Sequence, residues 1–208
     1  MSTSGQETEA KFYVRDLNKI KSRLHELEAQ LLQERVLETN IRFDLPGARL
    51  RAEGRVLRLR RDTSTKFTYK SASTKEQGVL SREEIEFEVE DFDKAKRFLE
   101  ALGYQKLVYY EKYRTTYALG PSEGLIHIML DELPYGNFIE IEGETVNEIR
   151  AIADQLGLNW DAAIATSYNA LFDRVRSALK LSVQDLSFAE FSDIRVNVTH
   201  LKVQAADR

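Results

Sequence analysis

Charged residues recur at every second position in one short segment after another, and apolar residues fill the positions between them. Glu7, Glu9 and Lys11 alternate with Thr8, Ala10, Phe12 and Val14. Arg58 and Arg60 alternate with Leu57 and Leu59, and Lys66, Thr68 and Lys70 with Phe67 and Tyr69. Arg82, Glu84, Glu86 and Glu88 oppose Ile85, Phe87 and Val89, while Lys112 and Arg114 share a face with Tyr110 and Thr116. Glu140 and Glu142 oppose Ile139 and Ile141. A period of two is the side-chain period of a β-strand, so each segment predicts a strand with one charged and one apolar face.

Between these strands lie amphipathic helices. Asp16 caps one with apolar residues at Leu17, Ile20, Leu24, Leu27 and Leu31, predicted to run to about Glu34. Asp91 caps a second, with Phe92, Ala95, Phe98, Leu99 and Leu102 expected inward and Gly103 closing it. Thr145 to Glu148 is a capping box for a third, ending near Gly157, and a fourth is expected from about Asp161 to Lys180. Val36 to Phe43 and Leu125 to Asp131 complete the strands, Ser71 to Gly78 reads as a polar loop, and Pro121 to Gly124 reads as a hairpin turn. Residues 1–180 form one predicted domain without linker or repeat, and residues 181–208 alternate weakly, predicting a loose extension or partner-binding arm.

The helical stripes need an apolar surface, so the helices belong on the apolar side of the strands. The charged faces then look into the interior of a closed antiparallel sheet, which makes the fold class α+β. The same alternation would suit an ordinary sheet with a solvated charged face. An enclosed charged face requires pairing or a bound ligand. Arginine forks match phosphate oxygens, and carboxylates suit a hard divalent cation that also takes substrate phosphates.

Composition removes other classes. The chain has 208 residues, a net charge of −4 and no cysteine. Near-balanced charge argues against a nucleic-acid partner, and the lack of cysteine removes disulfides, thiol nucleophiles and thiolate zinc sites, which fits a cytoplasmic location. No apolar run predicts a signal peptide or membrane span. His25, His127 and His200 are far apart and are not read as metal ligands; no glycine-rich phosphate loop occurs. Trp160 and Tyr168 read as packing residues, and Arg49, Arg51, Arg55 and Arg61 as a rim attracting anions.

In order along the chain, the strands resemble the CYTH family of triphosphate tunnel enzymes. The matching pieces are Glu7, Glu9 and Lys11; Leu57, Arg58 and Arg60; Thr68 and Lys70; Arg82, Glu84 and Glu86; Lys112 and Arg114; Leu130 and Asp131; and Gly136, Phe138, Glu140 and Glu142. The resemblance implies a closed eight-stranded antiparallel β-barrel, the triphosphate tunnel, with helices packed outside. It implies Mg2+ or Mn2+ on Glu7, Glu9, Glu140 and Glu142, with Asp131 a further carboxylate. Phosphates would lie on Lys11, Arg58, Arg60, Lys70, Arg82, Lys112 and Arg114, with Lys70 and Glu84 in catalytic positions.

The implied activity is hydrolysis of a triphosphate-bearing small molecule. A class IV adenylate cyclase and a non-catalytic polyphosphate or nucleotide sensor use the same cradle, and a homodimer is compatible with either. The chain departs from the hydrolase pattern at Asn40 to Asp44, where the family's tyrosine is missing and Asn40 replaces an acid, and at Thr166, where a basic residue is common. These departures leave the water-activating group open.

Overall fold

In a computed structural model, residues 6–76, 79–120 and 125–207 are described, without the side chains of residues 6, 7, 75 and 76. The expected turn at Pro121 to Gly124 lies outside them. The elements in chain order are β1 (Gln6–Val14), α1 (Leu17–Glu26), β2 (Gln30–Asp44), α2 (Arg49–Ala52), β3 (Val56–Arg61), β4 (Thr65–Lys70), β5 (Thr74–Glu76) and β6 (Val79–Val89). There follow α3 (Phe92–Ala101), β7 (Gln105–Leu119), β8 (Ile126–Leu133), β9 (Gly136–Glu142), α4 (Val146–Gln155), a 3-10 turn (Trp160–Ala162), α5 (Tyr168–Leu179) and α6 (Val198–Leu201).

All strand pairings are antiparallel, in the order β1-β9-β8-β7-β2-β3-β4-β6, and β6 pairs back onto β1. Eight strands therefore close into a ring, with β5 attached to β6 as a flap. Closure runs through Gln6 to Glu9 against Leu80 to Glu83. Closing the ring gives most strand edges a hydrogen-bonded neighbour.

The alternation sorts the side chains as expected. Ala10, Phe12 and Val14 of β1 join Ile128, Leu130, Ile139 and Ile141 in a buried cluster with Ile20 and Leu24 of α1 and Ile149 of α4. Burying each large apolar side chain contributes ~1.5–3 kcal/mol. A second cluster packs Phe138 against Leu171, Phe172 and Val175 of α5, and a third sets Ala95 and Leu99 of α3 on Ile41, Leu59 and Phe67.

Four expectations change. The first helix ends at Glu26, because Glu28 takes a left-handed φ of 55° and β2 begins at Gln30; the helical spacing of Leu27 and Leu31 loses to the long β2–β7 ladder. Phe98 and Leu102 are exposed, as are Ile85 and Phe87, since α3 lies on β3 and leaves the outer face of β6 open. The loop at Ser71 to Gly78 contains β5. The last long helix begins at Tyr168, where Ser167 caps it by accepting from Ala170 N.

The C-terminal segment is no loose arm. Leu186 exchanges backbone hydrogen bonds with β7, to Tyr109 O (2.9 Å) and from Glu111 N (2.8 Å). Ala206 N donates to Tyr13 O at 2.9 Å, and Leu186, Phe191, Leu201 and Ala206 are buried. Its anchors are single apolar residues without a period, so local pattern carries no sign of them. Among the described residues no helix is long and apolar enough to cross a membrane.

Candidate functional site

The ring encloses a cavity of about 690 Å3. Its lining includes Glu9, Lys11, Arg58, Arg60, Lys70, Arg82, Glu84, Lys112, Arg114, Glu140 and Glu142, so these expected site residues meet in one place. Nine lysines and arginines and five glutamates line it. Even with the buried Glu38 and Asp131 behind the wall, positive charge exceeds negative, which suits an anionic occupant.

Strand register decides which charges face each other. Lys11 stands opposite Glu140, Lys112 opposite Glu38, Arg114 opposite Asp131 and Lys70 opposite Glu84. Each is also an ion pair: Lys11–Glu140 at 2.9 Å, Lys112–Glu38 at 3.5 Å, Arg114–Asp131 at 2.6 Å and Lys70–Glu84 at 2.9 Å. Opposite charges across a ladder stabilise both the sheet and the aim of the side chains.

Asp131 is fully buried and does not line the cavity. It accepts two bonds from Arg114 (both 2.6 Å), one from Lys112 (3.0 Å) and one from the Tyr168 hydroxyl (2.8 Å). All four contacts hold cavity-facing groups from behind, which suits a positioning residue better than the metal ligand of the family pattern. Arg114 also donates a very short bond to Glu140. Burial first, then Asp131 and Glu140, pushes the Tyr168 hydroxyl well above its ordinary pKa, so it remains a donor. Tyr168 packs on Phe138 as expected, but it also lines the cavity, with Lys11 Nζ 4.4 Å from its ring centroid.

On the opposite wall Glu86 gathers Arg60 (3.1 Å), Lys66 (3.3 Å) and the Thr68 hydroxyl (2.8 Å). The Nε atoms of Arg58 and Arg60 are buried without a hydrogen-bond partner. Glu38 accepts from Asn40 Nδ2 at 2.9 Å. Burial would raise its carboxyl pKa, but Lys112, Arg114, Arg58 and Arg60 outweigh burial and hold it well below the glutamate range. Burial would likewise lower the Lys11 ammonium; Glu140 and Glu9 outweigh it and push it above the ordinary lysine value.

Glu38 is absent from the matched family residues; the signal that could have found it is its parity with Asn40 and Arg42 on β2. His127 also lines the cavity, opposite Glu142 in the register, and burial lowers its pKa. The expected arginine rim divides: Arg51 and Arg55 line a neighbouring chamber, and Arg61 lies over Phe92 at 4.6 Å. Glu7 pairs with Arg82 in the register, but its side chain lies outside the described residues.

Among the described residues, no three His, Asp or Glu side chains converge as a complete metal site. A smaller donor set is present. Glu9 and Glu142 stand directly opposite on β1 and β9 and both line the cavity. Like charges across a ladder repel unless a cation lies near, and Lys11 reaches Glu9 only at 3.7 Å. An ion that uses one or two carboxylates and fills its shell with phosphate oxygens and water fits this pair. Glu140 is already held by Lys11 and Arg114.

The fold recurs in solved structures. A provisionally assigned adenylate cyclase from Vibrio parahaemolyticus superposes with a TM-score of 0.71 at 22% identity, covering 82% of this chain and 99% of that one. The PH1819 protein from Pyrococcus horikoshii gives 0.62 at 26% identity, covering 80% and 97%. HpAC1 from Hippeastrum, a protein described as having a dominant triphosphatase activity, gives 0.60 at 17% identity, covering 80% and 95%. No curated protein matches the sequence. The CYTH domain model matches residues 5–158, most of the ring and the cavity walls. With that match over most of its length, the chain belongs to the CYTH domain family.

Proposed function

We propose that this protein is a triphosphate tunnel hydrolase that uses a divalent cation, Mg2+ or Mn2+, to cleave a phosphoanhydride. The observation that carries the reading is the enclosed excess of cations beside the facing carboxylates Glu9 and Glu142. Arg58, Arg60, Arg82, Lys112 and Arg114, which all line the cavity, bind the phosphoryl oxygens. Lys11 bridges the two functions, since it contacts both Glu9 and Glu140. Glu9 and Glu142 would hold the cation, with Glu7 and Glu140 beside them in the sheet. When bound, the cation neutralises charge on the phosphates and polarises them.

The protein's own part is positioning and electrostatics, as phosphoryl transfer requires. Lys70 holds a terminal phosphate oxygen, and Glu84, 2.9 Å from Lys70, accepts a hydrogen bond from the attacking water. The Lys70–Glu84 pair takes the place of the tyrosine missing from the Asn40 to Asp44 segment. Asp131 and Tyr168 keep Lys112 and Arg114 aimed inward.

The test is a panel of tripolyphosphate, thiamine triphosphate and ATP with each metal, on the wild type and a Glu9→Gln/Glu142→Gln variant. Orthophosphate release that falls by about 10²-fold or more in the variant supports the assignment, the scale expected for losing a preorganised charge in the site. Cyclic AMP and pyrophosphate from ATP would replace it with the cyclase reading. Binding without any product would replace it with a sensor. Full metal-dependent turnover in the double variant would remove the carboxylate pair from the mechanism.

A further inference from the structure

Beside the tunnel lies a second chamber of about 640 Å3. The two share Arg42, Val56, Leu80, Arg82, Ser167 and Asn169 in their walls, so they adjoin at these residues. Six arginines line the second chamber against one acidic residue, Asp173. Asp173 is already engaged by Arg51 at 2.7 Å and Arg176 at 3.8 Å.

Arg42 is the informative residue. It sits at the junction, largely buried, and stands directly opposite Arg58 in the β2–β3 register. Two guanidinium groups at that position repel. Lys11, Lys70, Lys112 and Arg114 each face a carboxylate across a ladder, and Arg60, which faces Lys66, is met by Glu86 at 3.1 Å; no carboxylate pairs with Arg42 among the described residues. Burial lowers its pKa, and Arg51, Arg58 and Arg82 lower it further, with Tyr110 the opposing influence. A buried cation among cations is costly without an anion. Arg55 and Arg176, by contrast, are paired with Glu53 and Asp173, with only their Nε atoms buried without a hydrogen-bond partner.

The chamber lacks what a nucleoside would need. Among the described residues its one aromatic lining residue is Phe172, which is 2% exposed and packed on Phe191 at 5.9 Å. No exposed ring is available there to stack on a base or a thiazolium.

We propose that the second chamber extends the triphosphate site into one for linear inorganic polyphosphate, with the phosphates beyond the third held by Arg42 and Arg51. The proposal rests on the tunnel reading above and adds a substrate class to it.

Isothermal titration calorimetry of the full chain with tripolyphosphate, tetraphosphate, a longer linear polyphosphate and ATP, at fixed ionic strength and metal, tests it. The wild type should bind tetraphosphate about tenfold more tightly than tripolyphosphate, the yield of one further charge-assisted hydrogen bond. In Arg42→Gln the ratio of the two affinities should collapse toward one. Arg51→Gln, at an exposed position where folding is safe, should reduce the same ratio. No preference for longer chains in the wild type, or a preference untouched in both variants, overturns the second subsite and leaves the tunnel standing. A larger loss for ATP than for tetraphosphate in Arg42→Gln overturns it in favour of an organic occupant. Failure of the wild type to bind tripolyphosphate at all removes the tunnel reading and this proposal together.

Discussion

Replacing Asp131 by asparagine keeps its shape and removes its charge. In the native structure that charge is fully buried and satisfies Arg114 twice, Lys112 once and the Tyr168 hydroxyl. The variant leaves two buried cations facing a neutral amide whose NH2 group cannot accept. Removing one partner of a buried ion network costs ~3–5 kcal/mol, because the stranded charges remain desolvated. Against a typical total of about 5–15 kcal/mol, that is a large fraction of the fold's stability. At ~2–4 °C per kcal/mol for a chain of this size, the melting temperature should fall by about 6–20 °C. The control is Glu26→Gln, which breaks the Arg23–Glu26 pair, both members more than half exposed, and should cost about 0.5 kcal/mol or less. Urea denaturation gives both values under one set of conditions. Tripolyphosphate affinity should fall in Asp131→Asn too, since Lys112 and Arg114 lose their aim. A variant within about 1 kcal/mol of wild type, with wild-type affinity, would refute the claim that Asp131 organises the cationic wall.

Acid should destabilise the protein through its inner carboxylates. Glu38, Glu86 and Glu140 have pKa values below the glutamate norm in the folded state, since their cationic neighbours outweigh burial. A depressed folded pKa gives stability that is complete above the unfolded glutamate value of about 4.3 and is lost as pH falls through the folded values. Circular dichroism should therefore show denaturant midpoints that drop below about pH 4, and a flat profile to pH 3 would contradict the ion network. Gly136→Ala should destabilise by about 1–3 kcal/mol, because φ there is 145° and a Cβ would lie 2.8 Å from Tyr13 Cε2. Gly103→Ala, with φ of 89° and nothing within 4 Å, isolates the backbone part; equal losses in the two would show that Tyr13 yields freely.

Much of this architecture was legible before any coordinates. Glu9 and Lys11 point inward and Ala10 and Phe12 outward because neighbouring residues of a strand must take opposite faces. The caps at Asp16, Asp91 and Thr145 mark helix starts because their side-chain oxygens accept from first-turn amides. Less legible were Leu27 and Leu31, whose helical spacing is overridden by the β2–β7 ladder, and Phe98, expected inward but exposed. Leu186 and Ala206 gave no signal, since each docks singly through backbone bonds to distant strands.

The chain by itself determined which side chains face inward, because a strand's parity is a property of adjacent peptide units. Tertiary structure decided which of them meet. Within hairpins such as β8–β9 the turn sets the register, but ladders such as β1–β9, β1–β6 and β2–β7 join segments far apart in sequence, and their register depends on how the ring closes. Register places Glu9 opposite Glu142, Arg42 opposite Arg58 and Arg60 opposite Lys66, so like charges of both signs meet in the same ring. It also sets Asp131 behind Arg114 as the support of a cationic wall. Like charges that face each other in this way need a counter-charge nearby, so the ring's closure, more than the chain's composition, decides where counter-charges are needed.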